Sequence, residues 1–211
     1  MTSAADAIRS HIERHIGPIH QVFNDWQQSD TPISVQHVLP TQTRPVHTLV
    51  TVGMSGSRIA PPGESPDHLE LMMSLWEGWK IDAESMQRAE WNWPVRTLQQ
   101  LARRSKETHI RWGDLIANGE PPKPYAPATK LCAVLVVPSL LVPTAFYELE
   151  TDAKRIGFYA AVPIYKEEWQ LGLKHGAKAL MERIVDRDVN DVIDLKRKNV
   201  ARPRLWNWLS L

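Results

Sequence analysis

Cysteine is almost missing from this chain: Cys132 stands alone among 211 residues. A single thiol cannot close an intramolecular disulfide or supply a Cys-x-x-Cys zinc or redox site, and it agrees with a reducing compartment, so the cytoplasm is the expected location. An excess of charge is missing too. Lys plus Arg number 25 against 24 Asp plus Glu, a formal balance of +1, and such a chain has no global field of the kind that gathers nucleic acid. The segment Met1 to Asp6 has neither a basic n-region nor an apolar h-region, so no secretory signal is expected. The most apolar stretch, Leu131 to Val142, is too short to cross about 30 Å of hydrocarbon and is interrupted by Pro138. It is expected to be a buried strand. What is present is a globular composition, 43% hydrophobic and 23% charged, which excludes a disordered or low-complexity chain. One domain over residues 1–211 is expected, with an N-terminal helix over 4–16, a core over about 20–186 and a basic, tryptophan-bearing tail over about 190–211.

The patterning alternates between strand and helix periods. Ile8, Ile12 and Ile16 form one apolar helical stripe, with Ser3 as N-cap and Gly17-Pro18 as the stop. Ile33, Val35, His37 and Leu39 share a strand face, and the β-branched run Val46 to Val52 is expected to pair with them. Gly53-Met54-Ser55-Gly56-Ser57 and Pro61-Pro62-Gly63 mark turns, and Leu69 to Leu75 reads as a third strand. Asn92 ahead of Trp93-Pro94 predicts a helix start, with Val95, Leu98 and Leu101 on the buried side and an end near Arg104. Gly113 to Tyr125 predicts a short strand and a proline-stiffened loop, the one place where composition admits a domain boundary. Leu131 to Val137 shows no alternation, as expected of a strand covered on both faces. Phe146 to Glu150 and Arg155 to Ile164 read as a hairpin about Thr151-Asp152. From Lys166 the period is helical: Trp169, Leu173, Leu180 and Ile184 are apolar, and Gly172 and Gly176 leave a flat strip for close packing on a sheet.

Candidates for chemistry are few. His11 and His15 lie four apart on a helix and can face one metal ion, the basis of an alternative reading as a metal-dependent hydrolase. In His-Ile-Glu-Arg-His, however, Glu13 is one place late for the zincin pattern, and no third ligand is identifiable. Gly53-Met54-Ser55-Gly56-Ser57 lacks the last glycine of a nucleophile elbow, and prolines follow where a helix is required. Glu148 and Glu150 share a solvated strand face with Asp152 beyond them. Lys196, Arg197, Lys198, Arg202 and Arg204, with Trp206 and Trp208, support a second alternative, nucleic-acid binding by the tail. Nine tryptophans are many for this length. Tryptophan is enriched at the centres of protein interfaces, and Trp91, Trp93 and Trp112 are not all easily accommodated in one small core.

Taken in order, His15-Ile16-Gly17 with Val22-Phe23, Thr48 to Ser55, Glu70 to Leu75 followed by Trp79, and Trp93-Pro94 followed by Leu101-Ala102-Arg103 form a series. Gly113-Asp114, Asn118-Gly119 and Val162-Pro163-Ile164-Tyr165-Lys166-Glu167-Glu168 continue it. The series resembles a suppressor of fused domain over about residues 10 to 200. The resemblance implies an α+β fold, a mixed and largely antiparallel sheet flanked by helices, acting as a protein-binding module with no reaction and no cofactor of its own. Bacterial single-domain members are similar to immunity proteins or antitoxins that neutralise a partner toxin, often a nuclease, here expected from a neighbouring gene. The animal regulators carry an additional C-terminal domain. Asp114 matches an acidic position with which those regulators help hold a peptide, whereas the aromatic that follows Leu-Ala-Arg in them is Arg104 here. Trp112, Asp114, Arg104, Trp91 and Trp93 are therefore the candidate partner-binding residues, used with exposed strand edges that accept another strand.

Overall fold

The structure, a computed structural model, describes residues 3–25, 32–60 and 66–202. The Pro61-Pro62-Gly63 turn and Arg204, Trp206 and Trp208 of the tail lie outside the described residues. Within them the chain runs α1 (Ala4–His15), β1 (Ile19–Asn24), β2 (Ser34–Val38), β3 (Val46–Val52), β4 (His68–Trp76), α2 (Ala89–Arg104), β5 (Leu115–Ala117), β6 (Leu131–Val137), β7 (Glu148–Glu150), β8 (Arg155–Tyr165), α3 (Lys166–His175), α4 (Ala177–Asp186) and β9 (Val192–Ile193). All nine strands belong to one sheet, ordered β1-β2-β3-β4-β8-β6-β5, with β7 added to β8 and β9 to β4. The pairs β4–β8 and β4–β9 are parallel and the others antiparallel. This is the mixed, largely antiparallel α+β architecture that the sequence predicts.

Helices cover both faces, which explains why the inner strands lack alternation. On one face α2 brings Trp93, Val95, Leu98 and Leu101 onto Val35, Leu49, Leu71, Met73, Val134 and Val136. On the other, Ile8 and Ile12 of α1 and Leu180 and Ile184 of α4 meet Val50, Met72, Leu135, Phe158 and Ile164. Neighbouring residues of β3, β4 and β6 thus point into opposite cores, as the two-residue period of a strand requires. Each fully buried aliphatic side chain contributes about 1.5–3 kcal/mol relative to exposure. The Ser3 hydroxyl accepts the Asp6 N–H at 3.1 Å and so caps α1. Among the described residues no helix is long and apolar enough to cross a membrane.

Four local readings change. β1 has no counterpart in the sequence reading. Helix α2 begins at Ala89, so Asn92 is not its cap; its side-chain amide donates instead to the Met86 carbonyl at 3.0 Å. The single helix expected after Lys166 is two, because Gly176 adopts φ +88°, a left-handed angle that interrupts the helical path. Gly172 does serve close packing: a Cβ there would lie 2.6 Å from Leu115 Cδ1. Residues 113–125 are not a boundary, since β5 joins the common sheet through β6.

Two buried carboxylates hold segments that the strands leave loose. Glu70, on β4, accepts the Thr51 hydroxyl at 2.5 Å and the Gly53 and Ser55 N–H groups at 3.1 and 2.9 Å, which fixes the Gly53–Ser57 turn. Burial pushes its pKa up, against those hydrogen bonds. Glu168, at the start of α3, receives both terminal nitrogens of Arg197 at 2.7 and 2.6 Å, and also the Tyr165 and Val200 N–H groups at 2.9 and 2.7 Å. The chain after β9 is thereby strapped to the sheet.

Candidate partner-binding surface

β5 ends the sheet. Among the described residues it pairs only with β6, Leu115 opposite Leu135 and Ala117 opposite Ala133. The Asp114 carbonyl accepts from Val136 N–H at 3.0 Å and Asn118 N–H donates to the Cys132 carbonyl at 2.8 Å, so even-numbered residues face β6. Alternation then turns the backbone N–H and C=O groups of Leu115 and Ala117 outward, where an extended chain can bond to them. A groove of about 630 Å³ runs along this edge. Arg104 at the end of α2 and His109 beyond it line one part, Trp169 of α3 another, and Asp114 and Glu120 place carboxylates at the two ends of β5. Gly172 lets α3 approach closely enough for Leu115 to pack beneath it.

The structure brings together three of the five candidate residues. Arg104 and Asp114 line the same groove. Trp112, 49% exposed, stands on the turn that leads into β5. That turn follows from its sequence. Asp114 N–H donates to the Arg111 carbonyl at 3.2 Å, Arg111 N–H donates to the Asp114 carboxylate at 2.8 Å, and Gly113 takes φ +85° at the third position. Asp114 therefore shapes the turn that presents Trp112 while facing the groove itself. Trp91 and Trp93 lie elsewhere, at the start of α2. Trp93 is 2% exposed, edge-on to Trp79 at 5.9 Å and stacked on Tyr125 at 5.1 Å, so it is a core residue and reaches no surface. Trp91 is half-buried against Trp79, with the Lys80 ammonium 5.6 Å from its ring, and lines a separate groove beside the exposed Trp76.

The histidine pair belongs to packing. His11 is buried between Phe146 and Phe158, ring centroids 5.0 and 5.1 Å away, and its Nε2 lies 3.2 Å from the Phe146 carbonyl oxygen. A carbonyl only accepts, so Nε2–H donates to it. Burial, above all, lowers the His11 pKa. Among the described residues no three His, Cys, Asp or Glu side chains are grouped to hold a metal ion. In the basic segment Arg197 is a strap to Glu168 rather than an open cation. Sequence reasoning missed Trp169 and His109 as groove residues: Trp169 stands on α3, remote in sequence from β5, and His109 lies in the loop between α2 and β5 with no pattern to mark it. The glycine spacing on α3 was the one signal pointing to Trp169's side of the groove.

An open mixed sheet, covered by helices on both faces and ending in a free strand, defines an α+β class of single-sheet proteins. Within it the chain belongs to the suppressor of fused family: the family described as Suppressor of fused protein (SUFU) matches residues 29–198. A suppressor of fused homologue from Neisseria gonorrhoeae FA 1090 has a similar structure, with TM-score 0.68 and 14% identity over 93% of this chain and 96% of that one. The Sufu–Fu complex gives TM-score 0.64 and 16% identity over 93% and 91%. Drosophila Suppressor of Fused gives TM-score 0.57 and 14% identity, with 83% of this chain covering 44% of that protein. No curated protein matches the sequence.

Proposed function

We propose that this protein is a non-catalytic binding module of the cytoplasm that neutralises a toxin encoded by a neighbouring gene, a nuclease being the expected kind. An extended segment of the toxin adds to the sheet along β5, and the body of the domain covers the toxin's active site. The observation that carries this reading is the outward backbone of Leu115 and Ala117 beside the groove of Arg104, Asp114 and Trp169. Main-chain pairing supplies affinity in such an arrangement, and side-chain pockets supply choice. Trp112 is the aromatic anchor, and Asp114 and Arg104 set the register of charged groups. Family membership and the likeness to the Sufu–Fu complex support a protein as the partner.

Co-expression with the product of the adjacent reading frame tests this directly. Protection of the host and a complex that survives size exclusion are expected. Continued killing with no complex contradicts the reading.

A further inference from the structure

A second groove, of about 840 Å³, opens where β6 and α3 both begin. Lys130, Lys166, Arg187, Arg197, Lys198 and Arg202 line it, against Glu167 as the one lining carboxylate. Two of these cations have partners: Arg197 holds Glu168 at 2.6 Å, and Arg202 lies 3.4 Å from Glu167. Lys130, Lys166, Arg187 and Lys198 have no carboxylate at ion-pair distance among the described residues. In a chain whose formal charge is only +1, four unmatched cations around one concavity are a local concentration of positive potential, which attracts anionic groups.

The basic groove adjoins the β5 groove, with Pro122 lining both. Ala117 pairs with Ala133, and Lys130 lies just ahead of β6. A segment lying along β5 and continuing past Ala117 passes Glu120 and then Pro122 before it reaches the lysines. We infer that beyond Pro122 the partner segment is an acidic polypeptide, its carboxylates seated among Lys130, Lys166 and Lys198. This deepens the β5 reading and rests on it. A peptide fits better than nucleic acid. Single strands are held by bases stacked on aromatic faces, and the aromatic ring lining this groove, Tyr165, already has the Arg197 guanidinium over it at 4.8 Å.

Fluorescence anisotropy of the full chain with a labelled octaglutamate peptide and with a labelled octathymidine strand tests the inference. Lys130→Glu/Lys166→Glu/Lys198→Glu is compared with Lys174→Glu/Lys178→Glu/Arg183→Glu, which makes the same charge change on α3 and α4. Octaglutamate binding is expected to weaken about tenfold or more in the groove variant and to stay within about twofold in the control. If the triple variant does not fold, the single changes Lys130→Gln and Lys198→Gln carry the test, each with a loss of about two- to threefold. Equal weakening in both triple variants, absence of octaglutamate binding at low salt, or tighter binding of octathymidine with the same sensitivity to the groove lysines would each overturn it. None of these readouts uses the toxin, so failure of host protection with normal octaglutamate behaviour removes the toxin reading and leaves the groove, and the converse result does the opposite.

Discussion

Among the described residues the two ends of the sheet are both open strands, and they differ in what surrounds them. β1 is six residues long and carries Phe23, whose carbonyl accepts the Gln99 side-chain amide at 3.4 Å, while Arg103 is ion-paired with Asp25 just beyond the strand. Side chains of α2 thus bond to that strand and to the residue after it. β5 is three residues long, its backbone faces a groove, and the exposed Trp112 stands on the turn that leads into the strand. An unpaired edge invites any strand. On the proposed reading, walls, charge and an aromatic anchor make β5 select one.

The largest expected effect lies on the β5 side. Arg197→Ala leaves Glu168, fully buried, without its counter-charge, and a broken buried pair costs about 3–5 kcal/mol. Urea unfolding should show that loss, and a change under about 1 kcal/mol would mean the strap does not support this end of the sheet. Next, Trp112→Ala should weaken the partner complex by about 2 kcal/mol, roughly thirtyfold, with less than about 0.5 kcal/mol of change in stability. Equal losses in titration calorimetry and in unfolding would show Trp112 to be structural.

Acid separates the two ends in the opposite sense. The His47 Nε2 lies 3.1 Å from the Glu77 carbonyl and must donate to it; neutral His47 therefore accepts at Nδ1 from His37 Nε2–H, 2.9 Å away. His37 Nδ1 is left buried without a partner among the described residues. Burial first, then the neighbouring His47 and His20, lower the His37 pKa from 6.5 to about 4. The unfolded chain therefore takes up the proton first, so this contribution is complete above pH 6.5 and drains away as pH falls toward 4, by about 2 kcal/mol at pH 5. Glu70 and Asp191, whose pKa values burial raises, act in the other direction, while His47 and His11, whose pKa values burial lowers, act in the same one, so His37→Gln measures the share of this one histidine. Hydrogen exchange at pH 5 should show β1–β3 looser in the native chain than in the variant, with β6–β8 alike in both. Uniform loosening would break the contrast.

Much of the fold was legible because burial on two faces leaves a plain signature. β6 is found where an unbroken apolar run predicts it, and β4 within one residue at either end. β1 was hidden because its outward positions include Val22 while Gln21 points the other way, so no apolar alternation marks it. Gly172 and Gly176 look alike in sequence; only Leu115, pressed against one of them, shows which stays helical. Glu70 gives no local sign of burial, since its donors lie 15 to 19 residues away. Arg104 and Asp114 are picked out through the family resemblance and Trp112 through the tryptophan excess, whereas the groove that Arg104 and Asp114 line is made by three elements meeting and has no signature in any one of them.

The most direct test compares two prolines. Asp25 N–H donates to the Ile33 carbonyl at 2.9 Å, so alternation turns Val22 outward on β1 just as Ala117 is turned outward on β5. Proline at either place removes one outward N–H and spares the inner ladder. Partner affinity should fall by about a hundredfold in Ala117→Pro, the loss of a main-chain bond together with the clash of the ring, and by less than about twofold in Val22→Pro. Full affinity in Ala117→Pro, with the loss appearing in Val22→Pro, would contradict the account.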